Sequence, residues 1–520
     1  MTAANLSLAF KRFGSWSPAY WVGMLALFAL AQQAASSLNC DVSWLITTAE
    51  RVLDGAKLYR DIEEVNPPAS VLIYMPFVAL ARELGLHPEA VTVVMVAALA
   101  VLSIYISGRI FYPLPATRWR LAAFAAFALL VLPVDQFAQR EHIALIAGLP
   151  MLTLLVTRIE ERAPGLHHAW TAGLGGGIMV AIKPHLLLAL LPVAGWAVVR
   201  QRSIRPVLGG EWIALVLVCI GYTAIVWLAF PSYLDHMLPL LRLVYLPNRD
   251  SWMHLLTGSM VLIPAFAAAL TFRIAHGYPT VPAGAALLAS CGFAVAGLIQ
   301  GKGYLNHGYP AVAMALLAIA LELSRPGAAW RFGTLCWALL ALASTFSYAQ
   351  VAKPYALRDA VLRLGPPHPK LLGISFDFGL GHPLTRWVAG RWVGRRGSLW
   401  VTGSSRPQLG DPSLAPAQRA AVARAAAEDA AMLADDILRN QPDIVLVDAE
   451  PGLVWIARHP GVRRAMQSYR PATHIGAVTL WVRQCADKQD VSRHCPQQPP
   501  DGSAYRMPGA KAAMSSRGGV

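Results

Sequence analysis

Apolar runs recur along this chain, near residues 19–38, 89–110, 120–134, 143–157, 170–182, 185–199, 211–230, 255–272, 281–299, 309–323 and 329–348. Most approach the ~20 residues that cross a bilayer as a helix, and shorter ones suit tilted or broken helices in a bundle. In lipid every backbone polar group needs an internal partner, so such runs predict helices. The chain is 56% hydrophobic and 14% charged, with mean hydropathy +0.46. A soluble domain carries about 25% charged residues. The formal charge of +15 is therefore read as topology-setting Arg and Lys, not as a nucleic-acid surface.

A twelfth run, 68–84, opens at Pro67-Pro68. If it stays in the interface, the loops holding Arg109/Arg118/Arg120, Arg158/Arg162, Arg200/Arg202/Arg205, Arg273 and Arg325/Arg331 share the side of Lys11 and Arg12. The positive-inside rule favours that arrangement: eleven spans, N-terminus cytoplasmic, C-terminus outside. Loops 39–88, 135–142, 183–185, 231–254 and 300–308 then face outward and carry the unusual polar residues.

After residue 350 the texture changes. "LLGISFDFG", "GSLWVTG", "DIVLVDAE" and "IGAVTLWV" read as short strands, with helices expected over 415–440 and 451–467. The expected organisation is a transmembrane domain 1–349, an outward α/β domain 350–484 and a disordered tail 485–520. Cys219, Cys291 and Cys336 read as buried thiols, and Cys485 with Cys495 as a candidate disulfide.

In the first outward loop, "SWLITTAERVLDGAKLY" has apolar residues at helical spacing and predicts a helix lying on the membrane. Asp41 at its start has two readings, an N-cap or a carboxylate that takes a proton from an acceptor hydroxyl. An acidic residue after the first span, an interfacial helix with Tyr59 at its end, and Glu64-Val65-Asn66-Pro67-Pro68 opening the next apolar run follow in order.

That order resembles the first periplasmic loop of GT-C glycosyltransferases, best the polyprenyl-phosphate-sugar branch of protein O-mannosyltransferases and the lipid A aminoarabinose transferase. The resemblance spans roughly residues 15–350. It implies that Asp41 is the catalytic carboxylate and that Glu64, Asn66 and Tyr59 shape the acceptor side. The family's Glu-Lys-Pro-Pro lacks its lysine here, with Asn66 in that place and the glutamate one residue early.

The second loop, "PVDQFAQREH", offers Asp135 and Glu141 for the second acidic position that the resemblance implies, with His142 beside them. Arg140 presents a fork suited to phosphoryl oxygens, or an ion pair between helices. Lys183 and His185 flank a proline between two apolar runs, as in the family's basic turn; the lysine suits an anionic headgroup or snorkels to the interface. In "IQGKGYLNHGYP", Lys302 and His307 are candidate ligands of a lipid-linked phosphate, beside glycines that let backbone approach closely.

The expected activity is transfer of a sugar from a polyprenyl phosphate to a lipid, glycan or protein acceptor at the outer face of a bacterial inner membrane. The alternatives are a flippase of a lipid-linked sugar and a ligase using a polyprenyl diphosphate. No metal site is read from the spacing, and a divalent-cation requirement stays open. The α/β part carries no nucleotide fingerprint.

Overall fold

A computed structural model of the chain describes residues 17–36, 38–111, 118–325, 330–349, 355–448, 455 and 458–484. The expected disulfide and tail lie outside them. By contacts the chain divides into two compact units, one within 1–353 plus 403–425 and one within 354–402 plus 426–520.

The first unit is helical. Its main helices are α1 (Pro18–Ala35), α2 (Cys40–Leu53), α3 (Met75–Leu84), α4 (Pro88–Phe111), α5 (Arg118–Ala126), α6 (Arg140–Ile159), α7 (Leu166–Ile182), α8 (Leu191–Gln201), α9 (Gly210–Ala229), α10 (Ser259–Ala275), α11 (Val281–Gln300), α12 (Leu305–Leu323) and α13 (Trp330–Tyr348). Among the described residues, five helical stretches are long and apolar enough to cross a membrane: Pro88–Phe111, Arg140–Ile159, Arg205–Ala229, Trp252–Ala275 and Val281–Gln300. The other expected runs fall on α1, α5, α7, α8, α12 and α13, which are shorter or less apolar. The 68–84 run breaks into Ala69–Leu72 and α3, neither long enough to span.

α6 and α12 form the core of this unit. Seventeen of the 20 residues of α6 are buried, and so are sixteen of the 19 of α12. A helix apolar on every side belongs inside a bundle. α9 sits at the other extreme, with most of its apolar surface exposed, as a lipid-facing helix requires.

Three expectations change here. Residues 42–49 of α2 are all buried in protein, so the helix does not lie on a lipid surface. Its N-cap is Asn39, whose side chain accepts the Asp41 backbone N–H at 2.9 Å, so Asp41 is not the cap. Cys219 and Cys336 are only partly buried and Cys291 is exposed on its helix, so they are not the buried thiols expected.

Close helix packing explains the "GLGGG" run of α7. A Cβ built on Gly173 would lie 2.1 Å from the Glu211 backbone oxygen of α9, and one on Gly175 2.2 Å from that of Ala147 in α6. Small residues let membrane helices reach this distance, where dispersion replaces the missing hydrophobic drive. Arg158 closes the same crossing with two hydrogen bonds to fully buried Glu211, at 2.9 and 3.0 Å.

The second unit contains a five-stranded sheet of order β2-β1-β3-β5-β4, with β1 (Lys370–Ile374), β2 (Arg391–Trp392), β3 (Ile444–Asp448), β4 (Tyr469–Ile475) and β5 (Val478–Arg483). β1 runs parallel to β2 and β3; β5 runs antiparallel to β3 and β4. The helix expected over 415–440 is present as Pro416–Asn440, while 451–467 is described mainly as the short helix Pro460–Ala465. "GSLWVTG" is not a strand: a helix starts at Trp400. Asp429 accepts the Thr402 N–H at 2.9 Å and its hydroxyl at 2.6 Å, so a carboxylate satisfies helix-start donors that a sheet would otherwise have to pair.

Gly173→Ala should lower the stability of the purified protein in detergent by about 1–3 kcal/mol, the cost of overpacking. Gly195→Ala, whose Cβ would meet nothing within 4 Å, should not. Thermal unfolding of the two variants beside wild type checks this.

Candidate functional site

The 133–142 segment is held in an uncommon shape. Val134 and Ala138 take positive φ, 44° and 61°, and for a β-branched residue that is an outlier. Three contacts fix them: Gln33 of α1 donates to Val134 O at 2.9 Å, the Tyr74 hydroxyl donates to Ala138 O at 2.6 Å, and the Ala138 N–H donates to His142 Nδ1 at 3.0 Å. With Nδ1 accepting, His142 Nε2 donates to Leu129 O at 2.7 Å. Both ring nitrogens are used, so His142 packs this turn and is not an acceptor ligand.

The turn delivers two side chains to the start of α2. Gln139 donates to Asn39 Oδ1 at 2.7 Å and to Asp41 Oδ2 at 3.3 Å. Arg140 Nη2 stands 3.6 Å from the same Asp41 oxygen. The Asp41 side chain is 37% exposed and that of Arg140 only 6%. Arg140 Nε and Nη1 are buried with no hydrogen-bond partner. Asp135 is buried in the 3-10 turn Val134–Gln136.

A second group lies at the same ends of α6 and α12. Lys183, which caps the C-terminus of α7, donates to Glu141 and, at 2.9 Å, to Gln300 of α11. His307 Nε2 comes within 3.6 Å of Glu141 Oε1. Of the two readings of Arg140, the ion pair between helices is made with Asp41, and Glu141 pairs with Lys183. Lys183 and Glu141 neutralise one another's charge. Glu141 Oε2, His307 Nδ1 and His185 Nε2 are buried without partners. Because Arg140 and Glu141 open α6 and His307 opens α12, two helix N-termini converge here, where backbone donors favour an anion.

The first loop closes the other side. Tyr59, at φ 67°, donates its hydroxyl to Asn66 O at 2.6 Å and packs on Tyr233. Glu64 is buried and accepts the Trp44 indole N–H, the Asn66 side-chain N–H and, at 2.9 Å, the Asn66 backbone N–H. Burial pushes its carboxyl above the usual range, against the opposing pull of Arg140 and those donors. Tyr59 and Asn66 thus set the position of Glu64. Sequence reasoning missed Asn39, Gln139, Trp44 and Tyr74; Asn39 and Gln139, both beside singled-out residues, were the legible ones.

Lys302 is placed differently from expectation. Its ammonium donates to Asn248 O and, at 2.6 Å, to Tyr245 O, and lies 4.0 Å from the Tyr245 ring centre. Burial, then the nearby Arg249, pushes it down to about 8. Arg249 in turn donates to Leu298 O and Ile299 O at the end of α11, and Gly301, at φ 65°, leaves it room. Lys302 clasps the 241–249 segment to the end of α11. Among the described residues, no group of three His, Cys, Asp or Glu side chains has a metal-site arrangement.

Removing one member of the Glu141–Lys183 pair should strand a buried charge. Glu141→Gln or Lys183→Met alone should cost about 3–5 kcal/mol, and the double variant less than either. Thermal unfolding of the four proteins in one detergent gives the cycle.

No family model matches the chain, and no curated protein is similar to it. A solved structure is similar: ArnT from Cupriavidus metallidurans, bound to undecaprenyl phosphate, at 13% identity and a TM-score of 0.56, over 90% of this chain and 99% of that one. At that identity the likeness is one of architecture: this chain shares the fold of that ArnT structure.

Proposed function

We propose that the chain is a GT-C glycosyltransferase that moves a sugar from a polyprenyl-phosphate donor to an acceptor hydroxyl. The observation that carries this reading is Arg140. A buried guanidinium with two unpartnered nitrogens, 3.6 Å from a half-exposed carboxylate, suits a phosphoryl group beside a general base. The shared fold supports it, since ArnT was solved with undecaprenyl phosphate.

In this reading Asp41 takes the acceptor proton, because it is exposed where Glu141 and Asp135 are buried. The acceptor oxygen attacks C1 of the sugar as the C1–O bond to phosphate breaks, and the bonding electrons leave with the phosphate. Arg140 and the N-termini of α6 and α12 stabilise that developing charge. His307 and His185 stand beside the phosphate. Glu141 and Lys183 position Arg140 and His307. The site faces outward, with eleven spans, a cytoplasmic N-terminus and the α/β unit outside, in a bacterial inner membrane. The acceptor is a lipid or glycan.

Purified wild type and Asp41→Asn would be incubated with radiolabelled polyprenyl-phosphate sugars and a membrane-lipid extract, with folding of both verified. Asp41→Asn should lose about 10²-fold or more in transfer, and Arg140→Gln should weaken donor binding as well. Equal transfer by wild type and Asp41→Asn would retire Asp41 as the base. Donor binding without transfer in any pairing would favour the flippase.

A further inference from the structure

A cavity of about 600 Å³ opens at the opposite ends of these helices from Asp41. It is lined by the start of α1, the ends of α4, α6 and α12, and the starts of α5 and α11. Its walls are almost wholly apolar, and its volume falls in the range of small-ligand sites. Among the described residues, two charged side chains line it, Arg109 at the end of α4 and Arg118 at the start of α5, and no acidic one. Arg162 lies on that side too, its guanidinium 6.0 Å from the ring of the lining residue Phe111, but its charge is paired with Glu160. The wall also holds a buried hydroxyl, Ser107 Oγ, without a hydrogen-bond partner.

An apolar chamber with positive charge at one end matches an amphiphile with an anionic head. The clustering of arginines marks this end as the cytoplasmic one, and basic pockets between helices on that side take acidic headgroups. The polyprenyl donor fits poorly, because its phosphate belongs at the other ends of the helices. We infer that the cavity binds an anionic phospholipid of the cytoplasmic leaflet, with its head at Arg109 and Arg118 and one acyl chain between α1, α4 and α12. The exclusion of the polyprenyl donor rests on the proposed function; the match of headgroup and acyl chain to the cavity does not.

Two variants separate the head from the chain. Arg109→Gln/Arg118→Gln removes the charge. Gly108→Phe fills the chamber, since a Cβ at Gly108 meets nothing within 4 Å. The full chain, delipidated in detergent, would be titrated with phosphatidylglycerol or phosphatidylcholine and bound lipid counted by native mass spectrometry. Thermal unfolding without lipid would verify both folds. Wild type should retain phosphatidylglycerol at least fivefold better than phosphatidylcholine. The double arginine variant should lose that preference, and Gly108→Phe should lose retention of both lipids. Equal retention of the two lipids by wild type would overturn the proposal, even if neither variant folds. So would phosphatidylglycerol binding that survives in both folded variants.

Discussion

Glu141 and Lys183 meet where four helices end: α6 and α12 begin there, and α7 and α11 finish. A carboxylate at a helix N-terminus and an ammonium at a helix C-terminus each sit favourably in the local dipole field. Between them they neutralise charges that neither could carry alone at this depth. Gln300 ties α11 into the pair, and His307 brings α12. Arg140, Gln139 and the strained 134–138 turn take their positions from the start of α6. The contact with Asp41 therefore depends on a pair that is itself buried.

The division of labour among the acidic residues follows from burial. Asp41 is the half-exposed one, steadied by Gln139 and by the Asn39 cap. Glu141 is neutralised by Lys183. Glu64 is enclosed by Trp44 and Asn66 and is pushed toward its protonated form. A site built this way keeps one carboxylate available and spends the others on structure. The arginine beside it retains two buried nitrogens that need an acceptor, which is the property a phosphoryl-binding centre requires.

Much of this was legible in the amino-acid order. Helix periods and span-length apolar runs gave the bundle, and the polar loops between them gave most of the residues that converge. Pairing was not legible. Glu141 and Arg140 are adjacent in the chain, yet one turns to Lys183 and the other to Asp41, because successive residues on a helix point about 100° apart. Lys302 looked like a phosphate ligand, and it serves instead to clasp two segments, a choice made by carbonyls 54 and 57 residues away. The helix at Trp400 reads as a strand in the sequence because its stabilising carboxylate, Asp429, lies 27 residues beyond Thr402, which it binds. In these two cases a long-range hydrogen bond overrides local pattern.

The central claim is that a phosphoryl group satisfies Arg140 beside Asp41. The most direct test is a cryo-EM structure of the full chain in a lipid nanodisc with a saturating polyprenyl-phosphate sugar. The account predicts phosphate oxygens within hydrogen-bond distance of Arg140 Nε or Nη1, with the sugar's C1 facing the open oxygen of Asp41. Donor density elsewhere, with both Arg140 nitrogens still unpartnered, would contradict it.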